Sequence, residues 1–137
     1  MTVTLVQAGG TICGDSSGKT GCEMPRFVIL THDHPHWHWD FMLESTGVLR
    51  TWRLDQEPSE AMRSVATPLP DHRLIYLEYE GPVSGNRGQV QRWDQGEYEL
   101  LSEAEGTLTV GLHGSRLKGR ARIFIEDQSS WFEFIEA

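Results

Sequence analysis

Residues 32–44 read H-D-H-P-H-W-H-W-D-F-M-L-E. From Trp37 to Glu44 the stretch has the period-two pattern of a strand, in which successive side chains point to opposite faces. His38 and Asp40 then share one face, and Trp39, Phe41 and Leu43 share the other. Imidazole and carboxylate on one side suit a divalent metal. An apolar opposite side suits a core. His32, His34 and His36 have the same parity, but Pro35 cannot donate to a ladder and marks a loop or bulge. Parity alone therefore secures only the His38/Asp40 pair.

The pattern around this segment is also β. Arg26–Thr31 is a short aliphatic run, and Glu44–Gly47 is a turn signal. Val48–Leu54 alternates again, which predicts a hairpin. Residues 55–71 hold Pro58, Pro68 and Pro70 and read as a loop with one helical turn around Ser59–Arg63. Arg73–Glu80 reads as a strand closed by Gly81-Pro82. Gln89–Asp94 and Tyr98–Leu101 read as two strands around a turn at Gln95-Gly96. Thr107–Leu112, Arg116–Glu126 and Ser130–Ile135 complete the series. Short, evenly spaced strands with Gly turns and little helix predict a mainly β fold, a small barrel or sandwich. Residues 25–137 are expected to form one such domain.

Residues 1–24 differ. After Val3–Val6 they are rich in Gly, Ser and Thr without periodicity and read as a flexible N-terminal leader. The piece G-D-S-S-G-K-T is not a phosphate loop: three residues separate Gly14 from Gly18 where the motif has four, and no amphipathic helix follows. Cys13 and Cys22 lack the neighbours of a zinc site. With 137 residues, 38% of them hydrophobic, the chain can bury a core as one domain. No apolar run is long enough to span a bilayer, and no signal peptide is recognisable, so a cytoplasmic protein is expected; it is also expected to be a monomer. The net charge of −8 argues against general nucleic-acid binding, though not against gripping one phosphate.

Phe27–His32 (F-V-I-L-T-H), Trp37–Glu44 (W-H-W-D-F-M-L-E) and Gly47–Trp52 (G-V-L-R-T-W) together resemble the 3′-phosphoesterase domain of bacterial DNA ligase D. The resemblance continues through Pro70–Tyr76, Tyr79–Gly81, the W-D-x-G-x-Y motif at Trp93–Tyr98 and the L-x-G-x-R-L-x-G motif at Leu112–Gly119. It implies a small β-barrel with little helix. It also implies manganese-dependent removal of 3′-ribonucleosides and 3′-phosphates from DNA ends, with a ligase and a polymerase as functional neighbours. By position, His32, His38 and Asp40 match the family's metal ligands, and His72 and Tyr76 match its phosphate-contacting residues. His34 and His36 match no ligand. Arg63 is one residue out of step with a basic substrate-binding position. If His72 begins a strand, it shares parity with Tyr76.

Two departures stand out. Met42 replaces an arginine two residues after the metal aspartate, and Gln56 replaces a phosphate-binding lysine. Arg50, Arg53, Arg87 and Arg92 are candidate substitutes, and Met42→Arg is expected to raise activity. A metal-dependent 3′-end phosphoesterase is the leading reading. The alternative is a catalytically impaired relative that binds a metal or a nucleic-acid end. A cupin-like metal enzyme fits poorly, because Glu44 lies too far from His36-x-His38 and no second motif follows. Trp131 and Phe132 are the aromatics expected to be exposed for a partner.

Overall fold

The computed structural model describes residues 24–137; the expected leader, with Cys13 and Cys22, lies outside these. The strands are β1 (Arg26–His32), β2 (His38–Ser45), β3 (Val48–Leu54), β4 (Arg63–His72), β5 (Gly81–Pro82), β6 (Gln89–Ala104), β7 (Thr107–Gly114), β8 (Lys118–Glu126) and β9 (Ser129–Glu136). The one helical element among the described residues is a 3₁₀ turn at Leu74–Leu77. None of their helices is long and apolar enough to cross a membrane.

The fold is mainly β, but the expected β-barrel is not formed. The strands make a single sheet ordered β1-β2-β3-β4-β9-β8-β7-β6-β5, which does not close into a barrel. The final strand, β5, is two residues long and pairs only with β6. A further pairing of β1 with β6 folds the sheet over on itself. The reason lies in two strands that change neighbours along their length. In β4, Arg63–Val65 pair with β9 while Ala66–His72 pair with β3, and the two ladders do not overlap. In β6, Arg26–His32 run beside its first half, and β7 pairs from Gly96 onward.

Three local expectations are corrected. Residues 63–72, expected to be largely loop, are a strand. Pro68 and Pro70 are tolerated because this part of β4 ladders only to β3, so their missing N–H groups interrupt no second ladder. Residues 73–80, expected to be a strand, turn instead through the 3₁₀ helix, where the Tyr76 N–H donates to the Arg73 carbonyl and the Glu78 N–H to that of Ile75. The expected turn at Gln95-Gly96 is the middle of a 16-residue strand.

The β2–β3 hairpin forms as expected. Thr46 and Gly47 both have positive φ, 45° and 87°, as a two-residue primed turn requires. Parity also holds. Phe27, Ile29, Phe41 and Leu43 enter the larger core cluster with Trp52, Leu54, Phe132 and Phe134. Val28, Leu30 and Met42 enter a smaller cluster with Leu49, Leu77 and Val90. Strands β1 and β2 are thus buried on both faces, and His38 and Asp40 lie on the face of the smaller cluster. Phe132, expected to be exposed, is fully buried, whereas Trp37 is 54% exposed.

Candidate metal centre

His32 ends β1 and His38 begins β2, and the two are directly paired across the ladder. Asp40 follows two residues later on the same face. Their ligating atoms all lie within 4.8 Å of one another. His32 Nδ1 is 3.4 Å from Asp40 Oδ2, and His38 Nε2 is 3.2 Å from Asp40 Oδ1. His38 and Asp40 are buried.

The remaining ring nitrogens fix which atoms face inward. His38 Nδ1 lies 2.8 Å from the His36 carbonyl oxygen, and His32 Nε2 lies 2.8 Å from that of Arg87. A carbonyl can only accept, so each of these nitrogens carries the hydrogen. The opposite nitrogen of each neutral ring then turns its lone pair toward a carboxylate oxygen. Lone pairs facing one another at this distance require positive charge between them, from a ring proton or from a cation shared by all three groups. His38 Nε2 and Asp40 Oδ1 are buried without a hydrogen-bond partner. Two imidazoles and a carboxylate with inward lone pairs, each ring held from behind by a backbone carbonyl, fit a divalent transition metal. The electrostatics agree. Burial opposes ionisation of Asp40, but the adjacent His32 and His38 rings favour its charged form more strongly and hold the carboxyl at about 2. The hydrogen bond to Asp40 raises the pKa of His32 against the opposing effect of burial, and the Arg87 carbonyl adds to the rise.

These three residues floor a cleft of about 550 Å³ whose walls include His34, Met42, Arg53, His72, Arg73, Tyr76 and Arg87. The structure thus brings His72 and Tyr76 to the same cleft as the metal cluster. It does so across the end of β4 and the 3₁₀ turn rather than by strand parity, with their rings 5.7 Å apart and edge-on. His72 Nδ1 donates to the Pro70 carbonyl at 2.9 Å, which leaves Nε2 free to face a ligand. His34 lines the cleft, and His36 serves through its backbone carbonyl.

Arg63 is not brought to the cleft. It lies on the part of β4 that pairs with β9, where its guanidinium is 3.0 Å from Glu126 and lies over the Phe124 and Trp131 rings. Of the candidate substitute cations, Arg53 and Arg87 line the cleft, whereas Arg50 is paired with Glu103 over Trp52. Arg73, also on the wall, was not anticipated. A signal for Arg53 was present: the two-residue turn at Thr46-Gly47 pairs Ser45 with Val48, and counting back along the hairpin sets Asp40 opposite Arg53. Gln56 is exposed in the turn after β3, where its N–H donates to Ser64 Oγ.

The chain is 29% identical over 133 residues to a multifunctional non-homologous end joining protein LigD of Pseudomonas aeruginosa, covering 87% of this chain. It is 31% identical over 114 residues, 77% of this chain, to a multifunctional non-homologous end joining DNA repair protein LigD of Mycobacterium tuberculosis. This chain spans only 16% and 15% of those proteins' lengths. A family model described as the DNA ligase D 3′-phosphoesterase domain matches residues 30–124, which include the metal cluster, His72 and Tyr76. On that match, which takes in most of the 137 residues, the chain belongs to the DNA ligase D 3′-phosphoesterase domain family.

Proposed function

We propose that this protein is a manganese-dependent 3′-end-processing phosphoesterase that removes a terminal 3′-phosphate or 3′-ribonucleoside from DNA ends during repair. The observation that carries the proposal is the inward-facing His32/His38/Asp40 cluster on the floor of a cleft whose wall presents His72 and Tyr76. A bound divalent ion would neutralise charge on a phosphate oxygen and polarise the phosphorus centre.

The chain's own residues divide the remaining work. His36 and Arg87, through their carbonyls, hold the two ligating rings in orientation. His72, whose Nδ1–H is held by the Pro70 carbonyl, would as imidazolium donate its Nε2–H to a non-bridging oxygen or pass that proton to the leaving oxygen. The Tyr76 hydroxyl donates to the same phosphate. Leu69, Pro70, Val83 and Val90 supply apolar wall around these groups. The partners are nucleic-acid 3′ ends, with a ligase and a polymerase acting on the product, and the protein works as a monomer.

The test is a primer-template bearing a 3′-phosphate or a 3′-ribonucleotide, incubated with protein and manganese. Release of phosphate or nucleoside well above a His38→Ala control is expected, and release no greater than that control would overturn the proposal. The second reading, a metal- and end-binding relative without turnover, draws on Met42 and Gln56. It predicts manganese and 3′-end binding with no product.

A further inference from the structure

We infer that Arg53 is the residue that grips the substrate's phosphate beside the metal cluster. This rests on the phosphoesterase reading of the cleft and names the cation that reading lacks. Arg53 lies on β3 directly opposite Asp40 of β2, so the two project from the same face, and both line the cleft. Most arginines elsewhere on the sheet are neutralised locally: Arg26 by Glu78, Arg50 by Glu103, Arg63 by Glu126 and Arg122 by Glu133. Arg53 is not among these. It is half-buried, and its Nε is fully enclosed without a hydrogen-bond partner.

A half-buried guanidinium beside a cluster built for a divalent cation is electrostatically unfavourable on its own. Asp40 cannot relieve it, because that carboxylate is already engaged by His32 and His38. An anion shared between the metal and Arg53 resolves the conflict, and the planar fork of donors suits the oxygens of a phosphate. Arg73 and Arg87 are exposed, and the Arg87 guanidinium is already turned to Ser84, with Nε donating to the Ser84 carbonyl at 2.7 Å. Arg92, whose Nε is enclosed in the same way, does not line the cleft, and that leaves Arg53 as the enclosed cation beside the metal floor.

The experiment titrates inorganic phosphate, which is not turned over, into manganese-loaded wild type, Arg53→Ala and Arg53→Lys. Manganese affinity and melting temperature are measured on each protein separately. Arg53→Ala is expected to weaken phosphate binding by about tenfold to a hundredfold, the range for one charge-assisted contact. Manganese affinity should stay unchanged, and Arg53→Lys should fall between the two. Phosphate affinity in folded Arg53→Ala equal to that of wild type would overturn the inference. So would a parallel loss of manganese affinity, since Arg53 would then be shaping the metal cluster instead. A wild type that binds phosphate but no manganese would defeat the phosphoesterase reading, while the Arg53 comparison would still report on the phosphate contact.

Discussion

At the scale of single residues, the candidate ligands differ in what they risk. His38 and Asp40 are buried, and no neighbouring side chain replaces either lone pair. His38→Ala and Asp40→Ala are expected to lower manganese affinity, measured by titration calorimetry, beyond the tenfold to hundredfold (~) that loss of an outer hydrogen-bond partner costs. His34→Ala and His36→Ala should change it little, because His34 only lines the wall and His36 contributes main chain. A His34 variant as defective as His38→Ala would show that the ligand set is different. The surroundings of Met42 argue against the gain expected from Met42→Arg. It is 1% exposed and packs with Val28, Leu30 and Leu49, one strand away from Arg53. In the wild-type background Met42→Arg would bury a second guanidinium, costing about 2–4 kcal/mol. It should lower the melting temperature and give no gain in phosphate release. The sequence could place His38 and Asp40 on one face, because parity is a local property. It could not tell that position 42 faces a core as well as a cleft, because β1 and β2 are buried on both sides.

At the scale of elements, two motifs that carry the family resemblance serve as scaffolding. Asp94, in the Trp93–Tyr98 motif, is buried and accepts four backbone N–H groups: Gln95 (2.9 Å), Ser115 (2.8 Å), Arg116 (3.0 Å) and Leu117 (2.9 Å). It therefore fastens the β7–β8 turn onto β6. Gly96 and Gly114 face each other in the ladder. A Cβ on Gly114 would collide with Asp94 and Phe27, and one on Gly96 with the His113 carbonyl. Arg116 covers Trp93, its guanidinium carbon 4.4 Å from the ring centre. Asp94→Ala would remove the acceptor of four backbone donors, that of buried Leu117 among them, so a loss of about 3 kcal/mol is expected in urea unfolding. Manganese affinity should persist wherever the variant remains folded. Loss of metal binding without loss of stability would show that this motif belongs to the site. The β8–β9 turn shows where turn chemistry is hard to read. Asp127 and Gln128 both adopt positive φ, 54° and 66°, with an Asp-Gln pair in place of the glycine-bearing pairs that usually advertise such a turn.

At the scale of the whole molecule, strand content was legible and closure was not. Alternation and turn residues report each strand's own geometry, but which strand changes neighbours depends on contacts far apart in sequence. The handover at Val65/Ala66 and the continuous β6 leave no local trace. Tyr98 is one of the long-range ties. Its hydroxyl donates to the Glu44 carbonyl at 2.6 Å, and its N–H donates to that of Pro25 at 2.9 Å, joining β6 to the end of β2 and the start of β1. Burial pushes its hydroxyl from 10.0 up to about 12. Because the folded state favours the neutral phenol, this contribution is complete below about pH 10, where an unfolded tyrosine begins to ionise. It is lost as pH rises from there through about 12. Tyr98→Phe should be less stable than wild type at neutral pH, and the gap should close over that alkaline range in denaturant titrations. A gap constant with pH would rule out this linkage.

Both imidazoles of the candidate metal centre are steered by main-chain oxygens, at positions 36 and 87. Side chains there can be exchanged freely without releasing the rings, so the orientation of the metal-binding atoms is encoded in loop shape and not in residue identity. The fragility moves to Gly88, next to position 87, at φ +76°, where any Cβ would strike Asp33 and His34. A methyl group at that one position would reach any cation held there by way of the backbone, whereas a new side chain at 87 would pass unnoticed by the two rings.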